Sequence, residues 1–256
     1  MSDLSEFVEY KEGNIPLIIS VPHGGILECN SIPNRKRGVL GIDKNTIEFS
    51  RNLISQISRK FKENNFGEKN PHYIFSLIRR SKIDLNRFEK DAYNQESLLA
   101  KEIYNFYHSK IKYWVFNNLK RYNHSFLIDI HGFEKYSRPP GFRDVDVILG
   151  TNNLESFFPE SIPKRNWGNN IRGKIIQKFL EFDIPIAPGH PRRREYVLTG
   201  GYITQAYGAS HIPKSQTIQI EISDRIRIYN EELRKNVIKI FVDILFENLK
   251  DFKSYY

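Results

Sequence analysis

Apolar residues gather in three runs, and each run delivers a side chain with chemistry. Leu17-Ile18-Ile19-Ser20-Val21-Pro22 leads into His23-Gly24-Gly25, and Phe126-Leu127-Ile128-Asp129-Ile130 into His131-Gly132. Ile218-Gln219-Ile220-Glu221-Ile222 carries a carboxylate. Such runs predict buried strands whose last residues emerge from a sheet edge, where open α/β folds keep their ligand crevice. Side chains alternate along a strand, so Asp129 and His131 share one side. Gln219 and Glu221 likewise share a face, opposite three isoleucines.

The remaining pattern fills in the elements. A strand over 15–21 is followed by a Pro- and Gly-containing loop over 26–42. Ile47, Ile54, Ile57 and Phe61 then recur at helical spacing, with Asp43 in the N-cap place and Asn64-Asn65-Phe66-Gly67 as the stop. His72 to Ile78 reads as a strand. The longest helix is expected over 95–120, capped by Asn94, with Leu99, Ile103, Phe106, Ile111, Trp114 and Leu119 as its buried stripe. Strands follow at 125–131 and 145–149, separated by an irregular stretch with Pro139-Pro140-Gly141. A helix over 169–181, a Pro- and Arg-rich loop over 185–194, and a short helical piece from Gly200-Gly201-Tyr202 to Tyr207 come next. A strand over 216–222 and a helix over 231–249 close the chain. Strands alternating with helices predict one domain over 1–256, a three-layer α/β/α sandwich.

Composition narrows the function. With 39% hydrophobic and 13% aromatic residues, the chain is too apolar for disorder. No apolar run approaches the roughly 18 residues of a membrane span, so no membrane partner is expected. The acidic, polar start predicts no secretory signal. Cys29 is the single cysteine, which excludes an internal disulfide and fits a cytoplasmic location. The net charge of +9 is compatible with nucleic-acid binding. Lys and Arg are nevertheless scattered, the densest runs being Arg35-Lys36-Arg37 and Arg192-Arg193-Arg194, and no nucleic-acid-binding motif is present. Attraction of a small anionic substrate is the expectation. A basic nucleic-acid-binding protein with a degenerate metal site is the alternative from another class.

Catalytic zinc commonly takes three His or carboxylate ligands and leaves one position for water. His23, Asp43 and His131 supply such a set. The blander readings are that each histidine is a polar strand terminus and that Asp43 only caps its helix. Glu221 is open to acid–base work, or to a salt bridge with Arg225 or Arg227.

These residues resemble the N-formylglutamate amidohydrolase (deformylase) family. The resemblance runs through Val21-Pro22-His23-Gly24-Gly25, Asp43 with Thr46 and Glu48, and Ile83-Asp84-Leu85-Asn86-Arg87. It continues through Ile128-Asp129-Ile130-His131-Gly132, Gly200-Gly201-Tyr202-Ile203 and Gln219-Ile220-Glu221-Ile222, in the family's order. That family is similar in fold to zinc carboxypeptidases, which implies a mixed eight-stranded sheet between helices, of the phosphorylase/hydrolase-like kind.

The resemblance implies that one zinc ion is held by His23, Asp43 and His131, with Glu48 a weaker rival to Asp43. It implies that Glu221 is the catalytic glutamate, that Arg80 is a second cation near the scissile carbonyl, and that Asn86 and Arg87 grip the substrate's carboxylate. For Arg87 the alternative is a salt bridge with Asp84 or Glu89. Gly200-Gly201, beside Tyr202, either lets the backbone approach a ligand or forms a turn. Asp129 orients His131 or caps its strand. The basic run Arg192-Arg193-Arg194 departs from the family pattern and is expected to widen or recharge the pocket. The activity implied is zinc-dependent hydrolysis of an N-acyl amino acid such as N-formyl-L-glutamate. Carboxypeptidase-like or peptidoglycan-type amide hydrolysis is the alternative within enzymes.

Overall fold

A computed structural model describes residues 4–137, 144–196 and 198–252. The Pro139-Pro140-Gly141 stretch lies outside the described residues. Seven strands form one sheet: β1 (Val8–Lys11), β2 (Leu17–Val21), β3 (His72–Ser76), β4 (Ser125–Phe133), β5 (Val147–Gly150), β6 (Ile186–Ala187) and β7 (Ser215–Ser223), in the spatial order β1-β3-β2-β4-β7-β5-β6. The four central strands run parallel, whereas β1 and β5 pair antiparallel with β3 and β7. The sheet is therefore mixed, as expected, but has seven strands among the described residues rather than eight.

Strand alternation builds two cores. Leu17, Ile19, Val21, Phe126, Ile128, Ile130, Ile218, Ile220 and Ile222 face one side. There they meet α1 (Thr46–Glu63), α4 (Ile171–Glu181) and α6 (Glu231–Leu249). Ile18, Ile74 and Leu127 face the other side, against α3 (Leu98–Tyr122) and α5 (Tyr202–Ala206). These helices on both faces complete the three-layer α/β/α sandwich. The even-numbered isoleucines of β7 thus turn Gln219 and Glu221 towards the α3 side, and β4 sends Asp129 and His131 the same way.

Several boundaries differ from the sequence expectation for physical reasons. Asp43 does not cap α1: Asn45 holds the N-cap place in a left-handed conformation with φ 60°, because the Asp43 carboxylate is turned inward to the histidines. Ser97, not Asn94, caps α3 by accepting from the Ala100 N–H, while Asn94 accepts from Glu96. The buried side of α3 runs through Ala100, Tyr104 and Tyr107, leaving Leu99, Phe106 and Leu119 only partly covered. Residues 186 and 187, expected as loop, add the edge strand β6 beside β5. Strand β1, the short helix α2 (Glu89–Ala92) and a π-helical turn over Arg225–Tyr229 were not anticipated. β1 buries only Val8 fully, so its pattern is too polar to announce a strand.

Candidate metal centre

The C-terminal ends of β2 and β4 carry the two histidines. After β2 the chain passes so close to Leu77 that a Cβ on Gly25 would lie 2.2 Å from the Leu77 carbonyl carbon. This tight passage sets His23 against β4, fully buried. The Asp43 N–H donates to the His23 carbonyl at 2.9 Å, which brings a residue from the far end of the loop back to the strand end. The Asp43 carboxylate accepts from the Gly132 N–H at 3.1 Å, just past His131.

The three side chains converge. His23 Nδ1 and His131 Nδ1 are 3.0 Å apart, and Asp43 Oδ2 lies 3.3 Å from His131 Nδ1 and 3.6 Å from His23 Nδ1. Among the described residues they form a buried group able to hold a metal ion, with ligand atoms within 4.8 Å of one another. Each imidazole is held from behind. His23 Nε2 is 2.6 Å from Asp84 Oδ1, and His131 Nε2 is 2.7 Å from Asp129 Oδ2. A ring nitrogen donating to a carboxylate leaves the other nitrogen with a lone pair. Two such lone pairs face each other at the centre of the group, which is unfavourable unless a cation or proton lies between them.

The arrangement fits a tetrahedral cation. Ligand bonds of about 2.0–2.1 Å place neighbouring ligand atoms about 3.3 Å apart, the middle of the observed spread. Carboxylates behind metal-bound histidines fix tautomer and ring orientation. Electrostatics agree. Burial alone would raise Asp43 and Asp84, but hydrogen bonds and charge from the histidines, joined at Asp84 by Arg80 and Arg35, hold both carboxyls below the usual range. Burial alone would lower His131, yet Asp129 and Asp43 hold it well above its ordinary value.

Glu48 is exposed on α1 and its carboxylate accepts from Asn52, so it is no rival to Asp43. Glu221 stands directly across from His131 in the β4–β7 register. It forms no salt bridge with Arg225, which binds Asp146, or with Arg227, which donates to the carbonyls of Ile222 and Phe133. Instead Glu221 accepts from Gln219 at 3.0 Å. Burial, with the Asp43 charge adding to it, raises its carboxyl above the ordinary value against the pull of His131 and Arg80.

The arginines and asparagine gather round one carboxylate. Arg80 and Arg87 each donate to Asp84 Oδ2 at 3.0 Å, and Arg35 Nη1 lies 3.4 Å from it. Arg87 therefore forms the salt bridge anticipated as its alternative, with Asp84 and not Glu89. Asn86 accepts from the Ile203 N–H and donates to Gln219, placing its amide 3.1 Å from His131 Nε2. Gly201 is a close approach: a Cβ there would lie 2.4 Å from the Asn86 amide nitrogen, and its N–H donates to Gln219. Gly200 has φ +113°, a conformation that favours glycine. Tyr202 packs on Phe88 with ring centroids 5.0 Å apart.

Arg192, Arg193 and Arg194 are exposed, and their loop is anchored by the buried pair Arg172–Glu195, with Arg172 donating to the Pro191 and Arg193 carbonyls. Asp84, expected only as an alternative partner of Arg87, is also the carboxylate that holds His23. Its signal was an aspartate locked between Ile83 and Leu85, a buried charge needing partners. Arg35 and Gln219 were likewise missed as parts of the site's frame.

The site thus belongs to a three-layer α/β sandwich with a buried His-Asp-His group at the C-terminal ends of parallel strands. The fold is similar to that of N-formylglutamate amidohydrolase from Ralstonia eutropha JMP134, with a TM-score of 0.64 at 13% identity over 94% of this chain and 96% of that one. A gene product of Agrobacterium tumefaciens is also similar, with a TM-score of 0.58 at 12% identity over 94% of each chain. No family model matches the chain, and no curated protein sequence matches it.

Proposed function

We propose that this protein is a zinc-dependent amidohydrolase that cleaves the amide bond of an N-acyl amino acid such as N-formyl-L-glutamate. The observation that carries this reading is the facing pair of Nδ1 atoms at 3.0 Å, beside Asp43, with each Nε2 on its own buried carboxylate. Two imidazoles and one carboxylate are a donor set that suits zinc, which in catalytic sites takes water as its fourth ligand. When bound, the ion supplies Lewis-acid activation of water and of the scissile carbonyl. His23, Asp43 and His131 hold it, and Asp84 and Asp129 keep the rings turned towards it.

Glu221 takes the proton of the attacking water and passes it to the leaving amine nitrogen. Burial raises its carboxyl above the ordinary value, so it takes a proton more readily than an exposed glutamate does. Arg80 faces the carbonyl oxygen, and Asn86 and Arg87 bind the substrate's carboxylate. A guanidinium fork matches a carboxylate with two parallel hydrogen bonds. Gly200, Gly201 and Tyr202 line the substrate. The similarity in fold to an amidohydrolase supports this reading. The test is metal content of protein purified without added zinc, together with hydrolysis of N-acyl amino acids. One zinc per chain with amide cleavage is the expected result; nucleic-acid affinity at moderate salt without bound zinc would favour the other class.

A further inference from the structure

The cations around Asp84 outnumber what Asp84 can neutralise. One carboxylate meets the guanidiniums of Arg35, Arg80 and Arg87 as well as His23; Asp43, shared by the two imidazoles, reaches only Arg80 among these arginines, at 3.6 Å, so three guanidiniums face two carboxylates. Beyond this wall lies a cavity of about 600 Å³ lined by Arg35, Lys36, Arg37, Arg87 and Lys90, against the acids Asp91 and Glu96. Among the described residues, Lys36, Arg37 and Lys90 are exposed and form no ion pair. The cavity wall is preformed: buried Arg35 donates to the carbonyls of Arg37, Val39 and Arg80 and leaves its Nε–H without a partner. Gly38, with φ +79°, lets the loop lie over both guanidiniums; a Cβ there would be 3.0 Å from Arg87 Nη2 and 3.1 Å from Arg35 Nη2.

We propose that this cavity is a subsite for an anionic extension of the substrate, a chain bearing further carboxylates beyond the one held at Arg87. The proposal rests on the amidohydrolase reading, since it places the reacting amide at His23 and His131. Arg87 joins the two places, bonding Asp84 behind His23 while lining the cavity. The volume is that of a pocket for a whole small molecule, far more than one carboxylate fills. Cations interspersed with Asp91 and Glu96 suit separate monoanionic groups along a chain better than one dense phosphate, which those two acids would repel.

The test titrates the zinc-loaded protein calorimetrically with N-acetyl-L-alanine, N-acetyl-tri-L-glutamate and inorganic pyrophosphate. The same titrations are run on a Lys36→Gln, Arg37→Gln, Lys90→Gln triple variant, whose exposed positions leave folding intact. The triple variant should bind the tri-glutamate about tenfold more weakly and the alanine derivative within about twofold of wild type. Raising salt should weaken only the longer probe substantially. Absence of wild-type affinity for the tri-glutamate, or equal losses for both acyl probes, overturns the subsite. Tighter binding of pyrophosphate than of tri-glutamate through the same three cations overturns the carboxylate assignment. Tri-glutamate binding that depends on these residues, with no N-acyl amino acid cleaved, retires the hydrolase reading and with it the substrate assignment, and leaves a cavity that binds polycarboxylates.

Discussion

The two histidines at the strand ends do the same thing by different routes. His131 is held by Asp129, two residues back on its own strand, so alternation alone places ring and carboxylate together. His23 is held by Asp84, sixty-one positions away in sequence, on the segment after β3. Asp129 serves His131 and accepts from Ser20. Asp84 serves His23 and three arginines. One arm is a local device of a strand; the other is a junction where the His-Asp-His group meets the cationic wall.

The comparison breaks first at the rings themselves. His23→Ala and His131→Ala should each remove most bound zinc and nearly all hydrolysis; full metal occupancy in both variants, measured by elemental analysis, would remove the basis of the site. Asp43→Ala should behave alike, whereas Glu48→Ala should keep its metal.

Glu221 sharpens the His131 arm, being its neighbour across the sheet. Glu221→Gln keeps the size and the Gln219 contact but cannot take a proton. It should lower kcat by about 10²–10⁴-fold with zinc content unchanged. Near-normal kcat with zinc present would assign proton transfer to another group.

The two anchors should then separate. Asp84→Asn and Asp129→Asn should each weaken zinc affinity by about 10–100-fold. In denaturant unfolding of the metal-free protein, Asp84→Asn should cost about 3–5 kcal/mol, because it leaves buried cations unpaired. Asp129→Asn should cost about 1–3 kcal/mol. Equal costs would mean the arginines around Asp84 find other partners.

On the cationic side, Arg87→Ala should lower kcat/KM for an N-acyl amino acid by about 10–200-fold with zinc retained. The carboxamide analogue should lose much less. Equal penalties for both substrates would show that Arg87 does not read the carboxylate.

The smallest effect concerns a buried histidine with no carboxylate behind it. His72 accepts the Gly13 N–H at Nδ1 and faces Asn118 with Nε2, and burial lowers its pKa from 6.5 to about 4. The folded state thus keeps it neutral while the unfolded chain binds a proton below pH 6.5, so stability falls as pH drops from 6.5 towards 4. His131 has the opposite sign when metal-free: its raised pKa contributes stability below 6.5 that is lost as pH rises through its folded value. His72→Gln should flatten the acid limb of metal-free stability by on the order of 1–3 kcal/mol. An unchanged limb would mean His72 takes its proton without unfolding.

Much of this protein was determined by order along the chain. The apolar runs of β2, β4 and β7 specified buried strands because each side of the sheet meets a core, and alternation put Asp129 beside His131 and set Glu221 apart from the isoleucines. The closing helix expected near 231–249 is α6, Glu231–Leu249; its cap, Asn230, which accepts from the Leu233 N–H, came only from the structure. What only the tertiary structure decided is which distant groups answer a buried charge. No local pattern tells that Asp43 leaves the helix cap to Asn45, that Asp84 supports His23, or that Arg35 and Arg87 share it. Those pairings follow from the β2–β4 and β3 crossings, which bring four segments within hydrogen-bond reach of one place. There, the free energy of leaving a carboxylate or a ring nitrogen unpaired selects the partners.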